Sequence, residues 1–185
     1  IWLDYIHRRD IENGELQRRI DEDGVLGVTS NPSIFQQAIG ESDVYDKSIA
    51  TMLDLEPGDI YEALAIYDIQ AVADLLRPIY DRTEGRDGYV SLEVSPMLAH
   101  DSAGTLAEAQ RLFAAVDRPN LMIKIPANRV GIAALEDAIA AGINVNVTLL
   151  FGVDHYERVA EAYIRGLKRR LEAGEPIDSV TSVAS

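Results

Sequence analysis

Cysteine is absent from the 185-residue sequence. That excludes disulfides, thiolate nucleophiles and Cys-ligated metal sites. Lysine is scarce: Lys47, Lys124 and Lys168 are the only three, and the other basic residues are arginines. Positive charge is short overall. Lys plus Arg total 17 against 31 Asp plus Glu, a formal net charge of -14. A surface that acidic argues against nucleic acid or an anionic membrane as the main partner. No apolar run reaches the roughly 18 residues of a membrane-spanning helix, and no signal-peptide pattern opens the chain. The expectation is a soluble, cytoplasmic protein. There is no Gly-rich dinucleotide loop, fixed repeat, low-complexity tract or Pro/Gly/Ser linker. His7, His100 and His155 lack metal-ligand spacing, so surface or capping roles suit them better. The chain also has no initiator Met, and it stops within the apolar stretch Val183-Ala184-Ser185. Natural ends are usually polar, so the expectation is a piece of a longer protein.

The hydrophobic fraction of 47% supplies a sizeable core. Apolar runs predict six strands: Ile1–Asp4, Val25–Ser30, Tyr89–Val94, Leu121–Pro126, Ile143–Leu149 and Ser179–Ala184. Several are nearly continuous, as in strands buried on both faces of a parallel sheet. Helical patterns lie between them, over Asp10–Asp21, Pro57–Tyr80, Ser102–Val116, Val130–Ala141 and Val153–Ala173. Residues 32–87 leave room for two or three extra helices. Strand–helix–strand alternation implies right-handed βαβ units and an α/β fold. A (β/α)8 TIM barrel needs about 250 residues, so six units fit a truncated barrel, with residues 1–185 as one partial domain. A doubly wound sheet is the alternative.

Active sites of barrels lie at the C-terminal ends of the strands, and polar residues interrupt nearly every candidate strand there. Lys124 sits in Leu121-Met122-Ile123-Lys124-Ile125-Pro126. Desolvation disfavours an ammonium ion, and a neutral amine attacks a carbonyl to form a Schiff base. The bland alternative is a snorkelling or ion-paired lysine. Glu93 shares a strand face with Ser91 and is either a proton shuttle beside the lysine or a structural ion-pair partner. Asp4 ends the first run, as a general acid/base or as a helix N-cap. Asn144, Asn146 and Thr148 alternate along one face and could hold substrate hydroxyls, a water, or only one another. Asn31-Pro32-Ser33 reads as a turn and helix start.

These residues fall in segments that resemble transaldolases. Gly27-Val28-Thr29-Ser30-Asn31-Pro32-Ser33-Ile34-Phe35 resembles the family's TSNP segment. Leu121–Ala127 is similar to its Schiff-base lysine strand, and Gly142–Phe151 to its GIN-N-TLLF strand. Trp2-Leu3-Asp4, Ser91-Leu92-Glu93-Val94 and Ser182-Val183-Ala184-Ser185 match in order, so the likeness covers essentially the whole chain. The long helical insert resembles the larger subfamily, some of whose members are fused to glucose-6-phosphate isomerase. The resemblance implies a (β/α)8 barrel that moves a dihydroxyacetone unit between sugar phosphates in the pentose phosphate pathway, without a metal or organic cofactor. The implied donors are sedoheptulose 7-phosphate and fructose 6-phosphate.

Carried over residue by residue, the resemblance implies that Lys124 forms the imine and Asp4 takes the C4 hydroxyl proton. Glu93 and Thr148 would position a water, Asn31 and Asn146 would hold the three-carbon enamine, and Ser185 would lie near the substrate phosphate. The family's phosphate-binding arginine would follow Ser185. One departure stands out. Where the family usually has Thr or Ser, often followed by Glu-Gly, this chain has Asn128-Arg129-Val130-Gly131. A simple aldolase releasing free dihydroxyacetone, or an inactive sugar-phosphate-binding barrel, are the alternative functions.

Overall fold

The computed structural model describes residues 1–185. The strands are β1 (Trp2–Asp4), β2 (Gly27–Thr29), β3 (Tyr89–Glu93), β4 (Leu121–Pro126), β5 (Val145–Thr148) and β6 (Ser182–Ala184). The helices are α1 (Arg8–Glu12), α2 (Glu15–Glu22), α3 (Pro32–Gly40), α4 (Asp46–Ala50), α5 (Pro57–Arg82), α6 (Ser102–Val116), α7 (Arg129–Ala140) and α8 (Val153–Glu172). Strand order follows chain order, and the β1–β2, β2–β3, β4–β5 and β5–β6 pairs are parallel. A doubly wound sheet reverses its strand order at a switch point. This one does not, so the topology is the α/β order of a (β/α)8 barrel, with six strands.

The chain divides into two compact units. The first comprises Ile1–Ser91 with Val116–Asn120. Its strand register aligns Asp4 with Thr29, and Thr29 with Ser91. The interior is apolar: Val28, Ile69, Val72, Leu76 and Tyr89 are buried. Asn120 is buried too, and its Nδ2 donates to Ala73 O (2.8 Å) and Gly88 O (2.9 Å). A charged cluster sits in the same unit. Arg8 Nε donates to Asp68 Oδ1 at 2.7 Å, and Tyr45 OH donates to Asp68 Oδ2 at 2.9 Å. The Arg8 guanidinium also lies over the Tyr45 and Tyr67 rings, 4.5 and 4.8 Å from their centroids.

The second unit comprises Leu92–Ala115 with Leu121–Ser185. Here α7 packs on α8. Ala134, Leu135, Ala138 and Ile139 of α7 are buried, as are Val159, Ala162 and Gly166 of α8. Gly166 permits the close approach: a Cβ there would stand 2.7 Å from Glu136 O and 2.8 Å from Ile139 Cβ. Glu136 bridges the pair on the outside, accepting from Arg165 Nε (2.7 Å) and Arg169 Nη1 (3.3 Å).

Several sequence expectations need correction. The helix expected over Asp10–Asp21 is two helices, because Gly14 takes φ +81 between them. The insert holds α3, α4 and α5, with a 3-10 turn at Asp43–Tyr45. Five strands are shorter at one or both ends than their apolar runs, since pairing and not hydrophobicity ends a strand. The run Ile143–Leu149 contributes only Val145–Thr148, and Leu149 leaves the strand with φ +66. Asn144 therefore precedes β5. Its Nδ2 donates to Leu121 O at 3.1 Å and its Oδ1 accepts from Thr181 N at 2.9 Å. Both of these bonds tie backbone segments together.

Candidate active site

In β4, Ile123 and Ile125 are fully buried and Lys124 projects from the opposite face. Register partners of parallel strands project to the same side. Lys124 pairs with Asn146, and Pro126 with Thr148, so Lys124, Asn146 and Thr148 share one face. Both polar β5 side chains are buried. Ser185 closes this row: its Oγ donates to Asn146 Oδ1 at 2.8 Å and fixes which way the amide points.

The end of β3 lies beside β4, where Val94 N donates to Lys124 O at 3.3 Å. That places Glu93 next to the lysine. Lys124 Nζ lies 3.5 Å from Glu93 Oε2, and their side chains are 13% and 19% exposed. Holding two charges so far from solvent is costly and adds little stability over apolar residues. The same spacing lets a carboxylate exchange a proton with the amine, directly or through one water. The second unit thus brings together Glu93, Lys124, Asn146, Thr148 and Ser185.

The remaining two candidates lie in the first unit. Asp4 ends β1 and is exposed. It is not the cap of the following helix: α1 is capped by His7, whose Nδ1 accepts from Arg9 N at 3.1 Å. The capping role thus falls to a histidine, leaving the Asp4 carboxylate unused by α1. Asn31 does cap α3, its Oδ1 accepting from Ile34 N at 2.9 Å. That bond occupies the carbonyl oxygen and leaves the amide nitrogen for a ligand. Just before it, Ser30 Oγ donates to Ser91 O at 2.8 Å, which holds the turn after β2 against β3. Thr29 Oγ1 is buried without a hydrogen-bond partner. The sequence marks it only as part of the polar end of the second strand; the register sets it level with Asp4 and Ser91. No three His, Asp or Glu side chains are grouped as metal ligands.

Beside Glu93 a cleft of about 220 Å³ opens between the loops that follow β3 and β4. Its walls are mainly apolar, including Val94, Leu98, Ile125, Val130 and Leu149. Gly131 sets one wall, since a Cβ there would collide with the Pro126 carbonyl. Asn128 is bonded on both sides: its Oδ1 caps α7 through Gly131 N (2.7 Å) and its Nδ2 donates to Ala99 O (3.0 Å). The departure noted at this position thus has a structural role that one signal, Asn three residues before Gly at a helix start, partly foreshadows.

Residues 1–185 match the family described as Transaldolase/Fructose-6-phosphate aldolase. Among curated relatives, the chain is 48% identical to "Transaldolase" of Thiobacillus denitrificans, and 100% of it aligns with 52% of that protein. It is 46% identical to "Transaldolase 2" of Nostoc punctiforme and to "Transaldolase 1" of Streptomyces coelicolor, in each case over 100% of this chain and 49% of the relative. The chain therefore spans about half the length of the curated relatives it matches. No helix is long and apolar enough to cross a membrane. The six-stranded parallel α/β topology, the lysine–glutamate pair on adjoining strands and the match over every residue lead to one classification: the chain belongs to the transaldolase/fructose-6-phosphate aldolase family.

Proposed function

We propose that the full-length protein is a transaldolase that transfers a dihydroxyacetone unit from a ketose phosphate to an aldose phosphate through an imine on Lys124. The observation that carries this reading is the Lys124–Glu93 pair, 3.5 Å apart and mostly withdrawn from solvent. The names of the relatives support the substrate class. The Lys124 amine adds to the donor ketone and, after loss of water, forms an iminium. In the roles implied by the family resemblance, Asp4 takes the C4 hydroxyl proton. The C3–C4 bond then breaks, the aldehyde leaves, and the bonding electrons form an enamine. Asn146 and Asn31 hold that enamine, and Glu93 and Thr148 place the water that enters and leaves during imine exchange. Ser185 lies toward the substrate phosphate. Residues 1–185 constitute part of a barrel domain in this proposal, the relatives' doubled length supplying the rationale. A sugar-phosphate enzyme of central metabolism without a membrane-spanning helix fits the cytoplasm, and the acidic balance disfavours nucleic acid as a partner.

The test is borohydride reduction of the full-length protein in the presence of fructose 6-phosphate. Wild type is expected to acquire a stable adduct on Lys124, and Lys124→Ala none. An undiminished adduct in Lys124→Ala overturns the assignment. A second reading has one observation behind it: the family's description also names fructose-6-phosphate aldolase. Such an enzyme releases free dihydroxyacetone without an acceptor. Assaying that product with and without an aldose phosphate separates the two.

A further inference from the structure

We propose that Asn128 is a positioning residue that governs how the enamine is partitioned between transfer to an acceptor and loss to water. The inference rests on the transaldolase reading, and it concerns the mouth of the cleft beside Glu93. Two loops form that mouth. One follows β3 and contains the 3-10 turn Pro96–Leu98; the other follows β4 and leads into α7. Thr105 holds the first loop to its own helix, donating to Asp101 O at 2.7 Å, with Leu98 O at 3.2 Å. Asn128 is the tie across the gap, through Nδ2 to Ala99 O at 3.0 Å. Its other amide atom is occupied by the α7 cap, so one side chain couples the start of α7 to the lip of the opposite loop. Glu93, Leu98, Ala99, Asn128 and Val130 all line the same cleft. At about 220 Å³ it has space for several waters, each of which occupies about 30 Å³ in the liquid. Because the lining is mostly apolar, water enters when the lip opens and is poorly held when it is shut.

The chemistry makes that lip matter. In the abortive route the enamine carbon takes a proton and becomes an iminium. Water adds to the iminium carbon and gives up a proton. Nitrogen then takes a proton and the C–N bond breaks with its electrons staying on nitrogen, while the new hydroxyl loses its proton and becomes the carbonyl. The net result is enamine plus water giving free dihydroxyacetone and the Lys124 amine. Glu93 is the carboxylate placed to relay those protons. Loosening the lip gives water readier access to that relay and favours release over transfer.

Asn128→Asp separates the tie from the cap, because aspartate caps a helix as well as asparagine but has no N–H to give Ala99 O. Asn128→Ala removes both. The readout, in the full-length protein, is the ratio of free dihydroxyacetone released to dihydroxyacetone transferred at a fixed acceptor concentration. A variant that merely folds less well lowers both products together and leaves the ratio alone. Both variants are expected to raise the ratio by about fivefold, the factor for one net hydrogen bond. Faster amide hydrogen exchange at Leu98 and Ala99 should accompany it. An unchanged ratio in both variants, or a raised ratio without faster exchange at those amides, overturns the proposal. Borohydride trapping of the wild type is run first, so a failure of the imine reading is distinguished from a failure of the Asn128 role.

Discussion

At the scale of single residues, the buried Arg8–Asp68–Tyr45 cluster carries the sharpest stability prediction. Burial pushes the Asp68 carboxyl above its ordinary value, although Arg8 and Tyr45 both bond to its ionised form. The same burial, and the charge of Asp68, push the Tyr45 hydroxyl up as well. Replacing one partner of a buried pair strands the other, at a cost of about 3–5 kcal/mol. Arg8→Met in the full-length protein is therefore expected to lose about that much at pH 7, measured by urea unfolding. Without Arg8, the folded state holds a proton on Asp68 more tightly than the unfolded chain does. Stability should then be retained at acid pH and fall as pH rises through the elevated Asp68 value. An Arg8→Met deficit that is flat with pH would count against this account. The double variant Arg8→Met/Asp68→Leu should recover part of the loss, since no charge remains buried. None of this was legible in the sequence, because Arg8 and Asp68 lie 60 positions apart and each reads as an ordinary charge on a helix. Lys124 and Glu93 were legible for the opposite reason. Each interrupts a local apolar alternation, and neighbouring strands in a parallel sheet bring such interruptions together.

At the scale of elements, the α7–α8 pair shows how much is decided by contact rather than by pattern. The sequence located both helices to within a residue or two, since apolar spacing and the glycines after Ala141 and Ala173 bracket them. It did not reveal that Gly131 and Gly166 are sites of close approach. Gly131→Ala is expected to cost about 1–3 kcal/mol as overpacking, because the colliding atom is backbone and cannot turn aside. A melting temperature equal to wild type would refute it. The bridge made by Glu136 is a milder case. Hydrogen bonding from Arg165, with Arg169 adding to it, holds the Glu136 carboxyl below the usual glutamate value. Its contribution is thus present above the unfolded value near 4.5 and lost as pH falls through the folded one. Its arginines are half exposed, so Glu136→Gln should cost only about 0.2–1 kcal/mol. The deficit should shrink in high salt and diminish as pH falls below the ordinary glutamate value, as thermal melts across a pH and salt grid would record. The break between α1 and α2 was readable in principle, since Asn13-Gly14 is a strong turn dipeptide. The polar-with-periodic-apolar pattern around it outweighed that signal.

At the scale of the whole molecule, the strand order places β1 and β6 at the two ends of the sheet. Unpaired strand edges invite pairing with other chains. Exposed apolar side chains add to the hazard: Met97 and Phe151 are each 89% exposed, and Val153 is 73% exposed. All three follow the C-terminal ends of strands, in the loops after β3 and β5 or at the start of α8. The curated relatives are about twice as long, which is room for the strands that would satisfy such edges. Residues 1–185 expressed alone are therefore expected to self-associate and to catalyse no dihydroxyacetone transfer. The net charge of -14 opposes association at low ionic strength, and roughly 0.15 M salt screens charges beyond about 8 Å. Self-association should consequently rise as salt is added, which separates edge pairing and apolar contact from charge-driven aggregation. Sedimentation velocity at two salt concentrations, together with binding of a hydrophobic dye, provides the measurement. A monomer at both concentrations that melts cooperatively and turns over fructose 6-phosphate with an aldose acceptor would refute the partial-barrel reading, because the six strands would then be sufficient by themselves.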